Sequence, residues 1–577
     1  MTSSILRRPS RWGTPGAPSP EGLAPDHAGG GGLHLRRRCR VVCFLPPISG
    51  RLGPPVTVSV RPFAHGLVRA ATGEESSAFD RHATGELDLP AATLMECAGR
   101  SAAEVVQRLH PRGEVVAVVG AGNNGGDALV ALRTLAAWGR RVRALVVADR
   151  PETEPLLHGW NVHMLRDDAP GDAAWEMLSG ADVVLDGVLG TGVKGAPRVR
   201  QKRAIEAVNA ASAFVVALDV PSGVDAATGA VPGGAVSADV TVAFGWPKLG
   251  SLVGEGRVLR GRLVVVEIGF PPLPGGRFGA ALITPAWAAS VRPRREPETH
   301  KYRVGTLLVV AGCPGMAGAA VLAGRAALRA GAGLVYVASA PENRVVLQAA
   351  APEAIFVDAS DEEAVAQRAA AVDAVAVGPG IGTDGQAERV LAAVLRAGAQ
   401  PLVLDADALT LLAAGRPQSL AAVAAARPAL VTPHAGEMQR ITRYSLAEIM
   451  ARRVEVARDA AMELGCTVLL KGLPSLVASP GEPVLLDSVG TSDLATGGMG
   501  DVLTGVVGAL LARGLKPRTA GALALHGSGR AAVRAGRGEG ILPVDVVAHL
   551  PDALGEIGPG ESEIDLPCVV LDLDAAR

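Results

Sequence analysis

The chain of 577 residues is poor in lysine, aromatic side chains and cysteine, and it has no long apolar run. Each shortage excludes something. The six cysteines (Cys39, Cys43, Cys97, Cys313, Cys466 and Cys568) are scattered and form no CxxC pair. That leaves neither a disulfide framework nor a thiolate metal site, and it fits a reducing cytoplasm. No stretch of the sequence reaches the ~18 apolar residues a membrane span needs. The net charge of −1 gives no electrostatic argument for nucleic acid or a membrane as partner. Lys and Arg total 56, yet only six are lysines, so each lysine merits separate inspection.

What is present is globular: 48% hydrophobic residues, with Ala and Val supplying much of the burial. A chain this long exceeds one core, so two domains plus extensions are expected. Residues 1–65 are rich in Pro, Gly and Arg and hold only two acids, Glu21 and Asp26. They read as a disordered extension. An organelle leader or an over-extended start are the alternatives for this segment.

From residue 66 short β-branched runs alternate with helical patterns, which predicts an α/β protein with mostly parallel sheets covered on both faces. Strands are expected at 114–120, 141–147, 182–186, 214–219, 238–245 and 262–269. Helices are expected at 128–138 and 202–211. A Pro- and Arg-rich connection at 276–300 divides a first domain, 66–275, from a second, 301–555, and leaves a tail at 556–577. The alternation restarts with strands at 305–312, 334–339, 374–380, 401–405, 429–432 and 467–472. Helices at 317–330, 446–464 and 502–513 fit among them. The halves share no repeat, so they are two different domains.

The densest signal is Gly497-Gly498-Met499-Gly500-Asp501, followed by an apolar helical pattern. Glycines permit close backbone approach, and the first N–H groups of a helix make an anion site. An acid beside such a site can take a proton from a substrate hydroxyl, as in small-molecule kinases. The plainer reading is that Asp501 caps its helix. In the first half, Gly120-Ala121-Gly122-Asn123-Asn124-Gly125-Gly126-Asp127 follows a strand and satisfies GxGxxG, with Asp149 after the next strand. A redox dinucleotide enzyme must therefore be considered. The paired asparagines and Asp127 add polar groups that a pyrophosphate cradle does not need.

Two more strand ends, Asp186 with Gly190–Gly195 and Asp219 with Ser222, belong at the same ligand edge. Oxygen ligands from Asn124, Asp186 and Ser222 suit a hard cation. Lys194 lies in a glycine loop, as a catalytic or phosphate-contacting amine or as a solvated lysine in a turn. In the second half, Asp405 and Asp407 either orient substrate or hydrated Mg²⁺, or cap the next helix. His434, beside Gly436 and Glu437, reads as a site residue rather than a structural one.

These motifs carry two resemblances. Met95–Gly99, Gly122–Asp127, Asp186 with Gly190–Gly195, Leu218–Gly223 and Thr241–Gly245 with Pro247-Lys248 resemble the NAD(P)H-hydrate epimerase family, over roughly residues 66–270. Ala311–Ala319, Gly378–Gly382, Leu404–Leu409, Thr432–Glu437, Lys471–Ser475 and Gly497–Asp501 resemble the ribokinase-like ADP- or ATP-dependent NAD(P)H-hydrate dehydratases, over roughly 290–555. The resemblance implies a Rossmann-like three-layer domain followed by a ribokinase-like α/β domain. The first would interconvert the R and S hydrates of NADH and NADPH (NADHX and NADPHX). The second would dehydrate the S form at the expense of ADP, giving AMP and phosphate.

By residue-for-residue match, Asn123, Asn124, Gly125, Gly126, Asp127, Gly190, Thr191, Gly192, Val193, Lys194, Gly195, Ala196 and Asp219 would contact the hydrate in the first site. Asn124, Asp186 and Ser222 would hold K⁺, and Lys194 and Asp219 would serve as acid and base at C6. In the second site Ala319, Gly380, His434 and Asp501 would meet the hydrate. Lys471, Gly472, Leu473, Pro474, Ser475 and Gly500 would hold the nucleotide, with Mg²⁺, and Asp501 would be the base. The sequence departs from the dehydratase pattern at His300–Gly305, which lacks an early glycine, and at Met499, where threonine is usual. A homo-oligomer in the cytoplasm is expected, without nucleic-acid or membrane partners. Two other readings stand beside it: a vitamin-precursor kinase fused to a Rossmann nucleotide-binding domain, and a first half that only senses nucleotides.

Overall fold

The valine-rich runs become strands because both faces of a parallel sheet are buried and reward β-branched side chains. A computed structural model describes residues 66–575 except 152–153, 169–172, 193, 272–277 and 556–568. The first sheet has eight strands. Their order is Val569–Leu573, Arg262–Val266, Val240–Phe244, Phe214–Leu218, Val183–Gly187, Val115–Val119, Val142–Val146, His163–Arg166. All neighbours are parallel except the first pair. Val115, Ala117 and Val119 pack toward helices Ala91–Leu109 and Asn123–Ala137. Val116 and Val118 face the opposite layer, with helix Val199–Ala210. This is the expected three-layer arrangement.

The second sheet has eleven strands and is parallel from Ile355–Asp358 across to Thr467–Leu470. Antiparallel strands Leu476–Ala478 and Val484–Leu486 then extend it. Leu308 and Val310 face one helical layer, Leu307 and Val309 the other. One core runs between the sheets: Ala243, Leu263 and Val265 of the first pack with Val68, Leu282 and Leu486 of the second.

The first and last strands of the described residues are exchanged between the sheets. Val68–Ala70 pairs with Ala280–Leu282 at the edge of the second sheet, while Val569–Leu573 closes an edge of the first. Each strand covers backbone groups that would otherwise form an open edge. The segment read as a connection thus supplies a strand and a helix, Pro285–Val291. Its proline does not break that helix, because Pro285 sits in the first turn, where no N–H is needed, and Thr284 accepts from Trp287 N at 3.1 Å. Part of the expected tail is likewise a strand. The extension at 1–65 lies outside the described residues. The expected helix at 446–464 is two helices, Leu446–Ala451 and Arg453–Leu464.

Arg262 anchors the C-terminal strand through a two-pronged pair with Asp572, Nε to Oδ1 at 2.8 Å and Nη2 to Oδ2 at 2.5 Å. Both side chains are nearly buried, at 10% and 7% exposure. Removing Asp572 takes both prongs of this pair from a nearly buried guanidinium, so Asp572→Ala should be destabilising, by at most about 3–5 kcal/mol. The expected readout is faster amide exchange over the strands at 262–266 and 569–573; unchanged exchange would contradict the anchor.

Candidate active sites

The first site lies outside the carboxyl ends of the strands at 115–119, 183–187 and 214–218, where parallel sheets collect ligands. A cavity of about 480 Å³ is lined there by Asn123, Asn124 and Asp127, by Gly190, Thr191 and Gly192, and by Asp219. The glycine loop is short because backbone meets backbone: a Cβ on Gly125 would lie 2.2 Å from Gly120 O. The helix therefore begins at Asn123, earlier than its apolar pattern indicates, and carries both asparagines and Asp127 in its first turns. Asp149, the residue a dinucleotide reading would place on a ribose, has a side chain 99% exposed and paired with Arg200 at 2.9 Å.

Asp219 has φ +66°, a strained conformation for a side-chain-bearing residue. Its Oδ1 accepts from Phe244 N at 3.1 Å and from Lys248 Nζ in a short ion pair. Lys248 is only 1% exposed and also donates to Phe244 O at 2.8 Å. Asp80, on helix Gly73–Gly85, lines the same cavity. Burial, and then the Asp219 charge, push the Asp127 carboxyl well above the usual range, against the pull of Lys248.

Lys194 stands apart from the other expected groups. Its side chain is 75% exposed and pairs with Glu74 at 2.6 Å, outside the residues that line the cavity. Gly195 and Ala196 also lie outside that lining, and Val193 lies outside the described residues. Gly125 and Gly126 shape the loop rather than line the cavity; a Cβ on Gly126 would press on the Met95 thioether at 2.7 Å. The lysine that faces Asp219 is Lys248; its signals in the sequence were its membership of a set of six and its place in the Pro247-Lys248 pair of the family resemblance.

Asn124, Asp186 and Ser222 do converge. Ser222 Oγ donates to Asp186 Oδ1 at 2.6 Å, and Asn124 Nδ2 donates to the carbonyls of Leu189 and Leu218 at 2.8 and 3.0 Å. Asn124 Oδ1 is buried without a partner. Asp186 is fully buried, which pushes its carboxyl up to about 6 against the hydrogen bonds from Ser222. An orphan oxygen beside a buried carboxylate is a donor set that suits a large, hard cation.

The second site forms at the helix Met499–Ala512. Gly498 takes φ +87° at its N-cap, where a Cβ would also strike Leu322 at 2.8 Å. Asp501 sits in the first turn, and burial, then Asp405, push it to about 6 despite Lys471. Asp405 stands at the N-cap of helix Ala406–Ala413, but its side chain makes no capping hydrogen bond. Its two oxygens accept from Lys471 Nζ and from Thr504 Oγ1, each at 2.8 Å. Burial disfavours the Lys471 charge, but Asp405 and Glu437 outweigh it and hold the ammonium protonated. Gly500 adjoins this group, since a Cβ there would lie 3.5 Å from Lys471 Nζ.

Asp407 Oδ2 accepts from Gly382 N at 2.9 Å. Gly380, at φ +57°, packs against Ala319, 3.3 Å from where its Cβ would stand. His434 caps helix Ala435–Ile441, its Nδ1 accepting from Gly436 N and Glu437 N at 3.0 and 3.2 Å, while the ring stays 56% exposed. It therefore has the structural role and also an open edge. In the loop from Lys471 to Ser475, Ser475 Oγ donates to Gly472 O at 2.9 Å. Arg453, which sequence reasoning missed, braces this loop by donating to Lys471 O and Pro474 O at 3.1 and 3.2 Å. Thr504 was missed too, being one more residue of an apolar helix.

Among the described residues no helix is long and apolar enough to cross a membrane. Residues 307–551 match the family described as NAD(P)H-hydrate dehydratase, and residues 91–250 match that described as YjeF-related protein N-terminus. The chain is similar to the bifunctional NAD(P)H-hydrate repair enzyme Nnr of Moorella thermoacetica, at 36% identity over 86% of this chain and 97% of that protein. The enzymes of the same name from Salinibacter ruber and Escherichia coli are 38% and 34% identical, over 81% and 78% of this chain and 92% and 87% of theirs. Among solved structures it is similar to a Bacillus subtilis ADP/ATP-dependent NAD(P)H-hydrate dehydratase co-crystallised with ATP and Mg²⁺. That similarity is 29% identity over 47% of this chain and 96% of that one, with a TM-score of 0.42.

Proposed function

Because the chain belongs to the family of bifunctional NAD(P)H-hydrate repair enzymes, we propose that its first site epimerises the R and S hydrates of NADH and NADPH and its second dehydrates the S hydrate with ADP. The observation that carries the second half is Asp501, held near pH 6 at a glycine-rich helix start beside Lys471. Asp501 accepts the proton of the C6 hydroxyl as that oxygen attacks the terminal phosphoryl group of ADP. The helix N–H groups at Gly498–Gly500 and Lys471 stabilise the phosphoryl charge, and AMP leaves. Phosphate then departs from C6 with the C–O electron pair, and loss of a C5 proton restores the dihydronicotinamide. Asp407, beside the Lys471–Asp405–Thr504 group, would be the carboxylate available to a hydrated Mg²⁺ arriving with the nucleotide, which would supply neutralisation of phosphate charge. Ala319, Gly380 and the open edge of His434 border the hydrate, and Lys471–Ser475 border the nucleotide.

In the first site Asn123, Asn124, Asp127, Gly190–Gly192 and Asp219 border the hydrate. Asn124, Asp186 and Ser222 would be the residues to hold K⁺, which would supply charge compensation for buried Asp186. Lys248 fixes Asp219. Assembly as a homo-oligomer in the cytoplasm belongs to the same reading and is checked by light scattering and cell fractionation.

The test is incubation of mixed hydrates with ADP and, separately, ATP. Recovery of dihydronicotinamide absorbance from both epimers, with AMP released from ADP, is the expected result. Recovery from neither, or a stable phosphorylated product, would favour the vitamin-precursor kinase.

A further inference from the structure

Four ionisable side chains line the first cavity: Asp80, Asp127, Asp219 and Lys248. Asp219 and Lys248 are committed to each other and to Phe244. The carboxylate oxygens of Asp80 and Asp127 have no hydrogen-bond or ion-pair partner among the described residues. Polar groups that face a cavity without a protein partner are the ones left for a ligand. Helix Gly73–Gly85, which carries Asp80, lies before the matched span 91–250.

We infer that Asp127 and Asp80 are the proton-transfer pair of the first site, Asp127 giving a proton to the oxygen that leaves C6 and Asp80 taking one from the water that returns. This rests on the epimerase reading. C6 of the hydrate carries both a hydroxyl and the ring nitrogen, so the nitrogen lone pair can form N1=C6 as the C6–O bond breaks with its electron pair. That oxygen takes the Asp127 proton and departs as water. A water molecule then adds to the other face of C6, the N1=C6 pair returns to nitrogen, and the surplus proton passes to Asp80. The reverse conversion begins from protonated Asp80, so no redox partner or further reactant is required.

The environments divide the roles. Asp127 is 8% exposed; burial first, then Asp219 and Asp80, push its carboxyl well above the usual range against Lys248. Asp80 stands at the open side of the cavity. Burial and Asp219 raise it less, and Lys248 and Arg81 oppose them. Asp219 Oδ1 is already engaged by the Lys248 ammonium and the Phe244 amide.

The experiment follows R-to-S exchange of purified R hydrate by chromatography, without nucleotide, in the full-length chain. Asp80→Asn and Asp127→Asn should each lower kcat by about 10² or more, with KM changed less than about three-fold. Turnover of S hydrate with ADP should be unchanged, which also reports folding. Wild-type exchange should fall at low pH as Asp80 gains a proton and at high pH as Asp127 loses one. Asp80→Asn should abolish the acid limb, and Asp80→Glu should restore part of kcat. Retention of more than about a third of kcat by Asp80→Asn, or an acid limb that survives in it, would overturn the pair. If Asp127→Asn fails to fold, the Asp80→Asn rate and profile decide alone. Absence of exchange in the wild-type chain would instead sink the epimerase reading.

Discussion

Asp501→Asn is expected to lower dehydratase turnover by about 10²–10⁴ while nucleotide affinity changes little. The substitution keeps the size of the side chain and removes only its ability to hold a proton. The groups placed on the nucleotide, Lys471 and the helix N–H groups at Gly498–Gly500, are untouched. In the wild-type enzyme the base must be ionised, so kcat/KM should rise with pH through about 6, the value set by burial and Asp405. The asparagine variant should lose that rise. Stability should move the other way. A carboxyl whose folded pKa lies above its unfolded one favours the folded state most at low pH, and that contribution is lost as pH rises through about 6. At pH 7.5 Asp501→Asn should therefore unfold at the same or a higher temperature. Full turnover in the variant, or a clear loss of stability with the pH limb intact, would remove Asp501 from the mechanism.

The Asp501 loop was legible because its chemistry is local: glycines, an acid and a helix start lie within a few residues. The sheet interiors were legible for a related reason, since runs such as Val115–Val119 are buried on both faces and need no partner to identify them. The edges were not. Val68–Ala70 and Ala280–Leu282 are three-residue strands whose pairing is set by distant parts of the chain. Likewise Asp80 sits in an ordinary polar helix and acquires meaning only from the cavity it lines. Glycines around Lys194 attracted the functional reading, yet its side chain is 75% exposed. An exposed ammonium paired with exposed Glu74 has little electrostatic leverage, whereas buried Lys248 has a great deal.

The exchange of terminal strands gives that second lysine a structural context. Ala71 N donates to Pro247 O at 3.0 Å, and Leu249 N donates to Ala71 O at 2.8 Å. The residue that follows the edge strand of the second sheet therefore brackets Lys248 in the first site. The sequence spacing between residues 71 and 248 gives no hint of this bracket, but it fixes the backbone from which the lysine reaches Asp219.

Lys248→Met should consequently damage both stability and epimerase activity. Methionine fills much of the lysine's volume, but it takes the ammonium from the half-buried Asp219 carboxylate, which keeps only Phe244 N as a donor, and from Phe244 O, which keeps Trp246 N. Breaking a fully buried pair costs about 3–5 kcal/mol, and the 14% exposure of Asp219 puts this one at or below the lower end. It also removes the one cation that opposes protonation of both Asp80 and Asp127, so both carboxyls should move further up. Epimer exchange should then fall by at least about 10², with the acid limb of its pH profile displaced upward. Adding Asp219→Asn removes the uncompensated charge, and the double variant should recover most of the lost stability while remaining inactive. Denaturant unfolding followed through the first domain measures one effect, and R-to-S exchange the other. Stability equal to wild type in Lys248→Met would show that the pair bears little of the fold; recovered exchange in the double variant would show that it does not order the site.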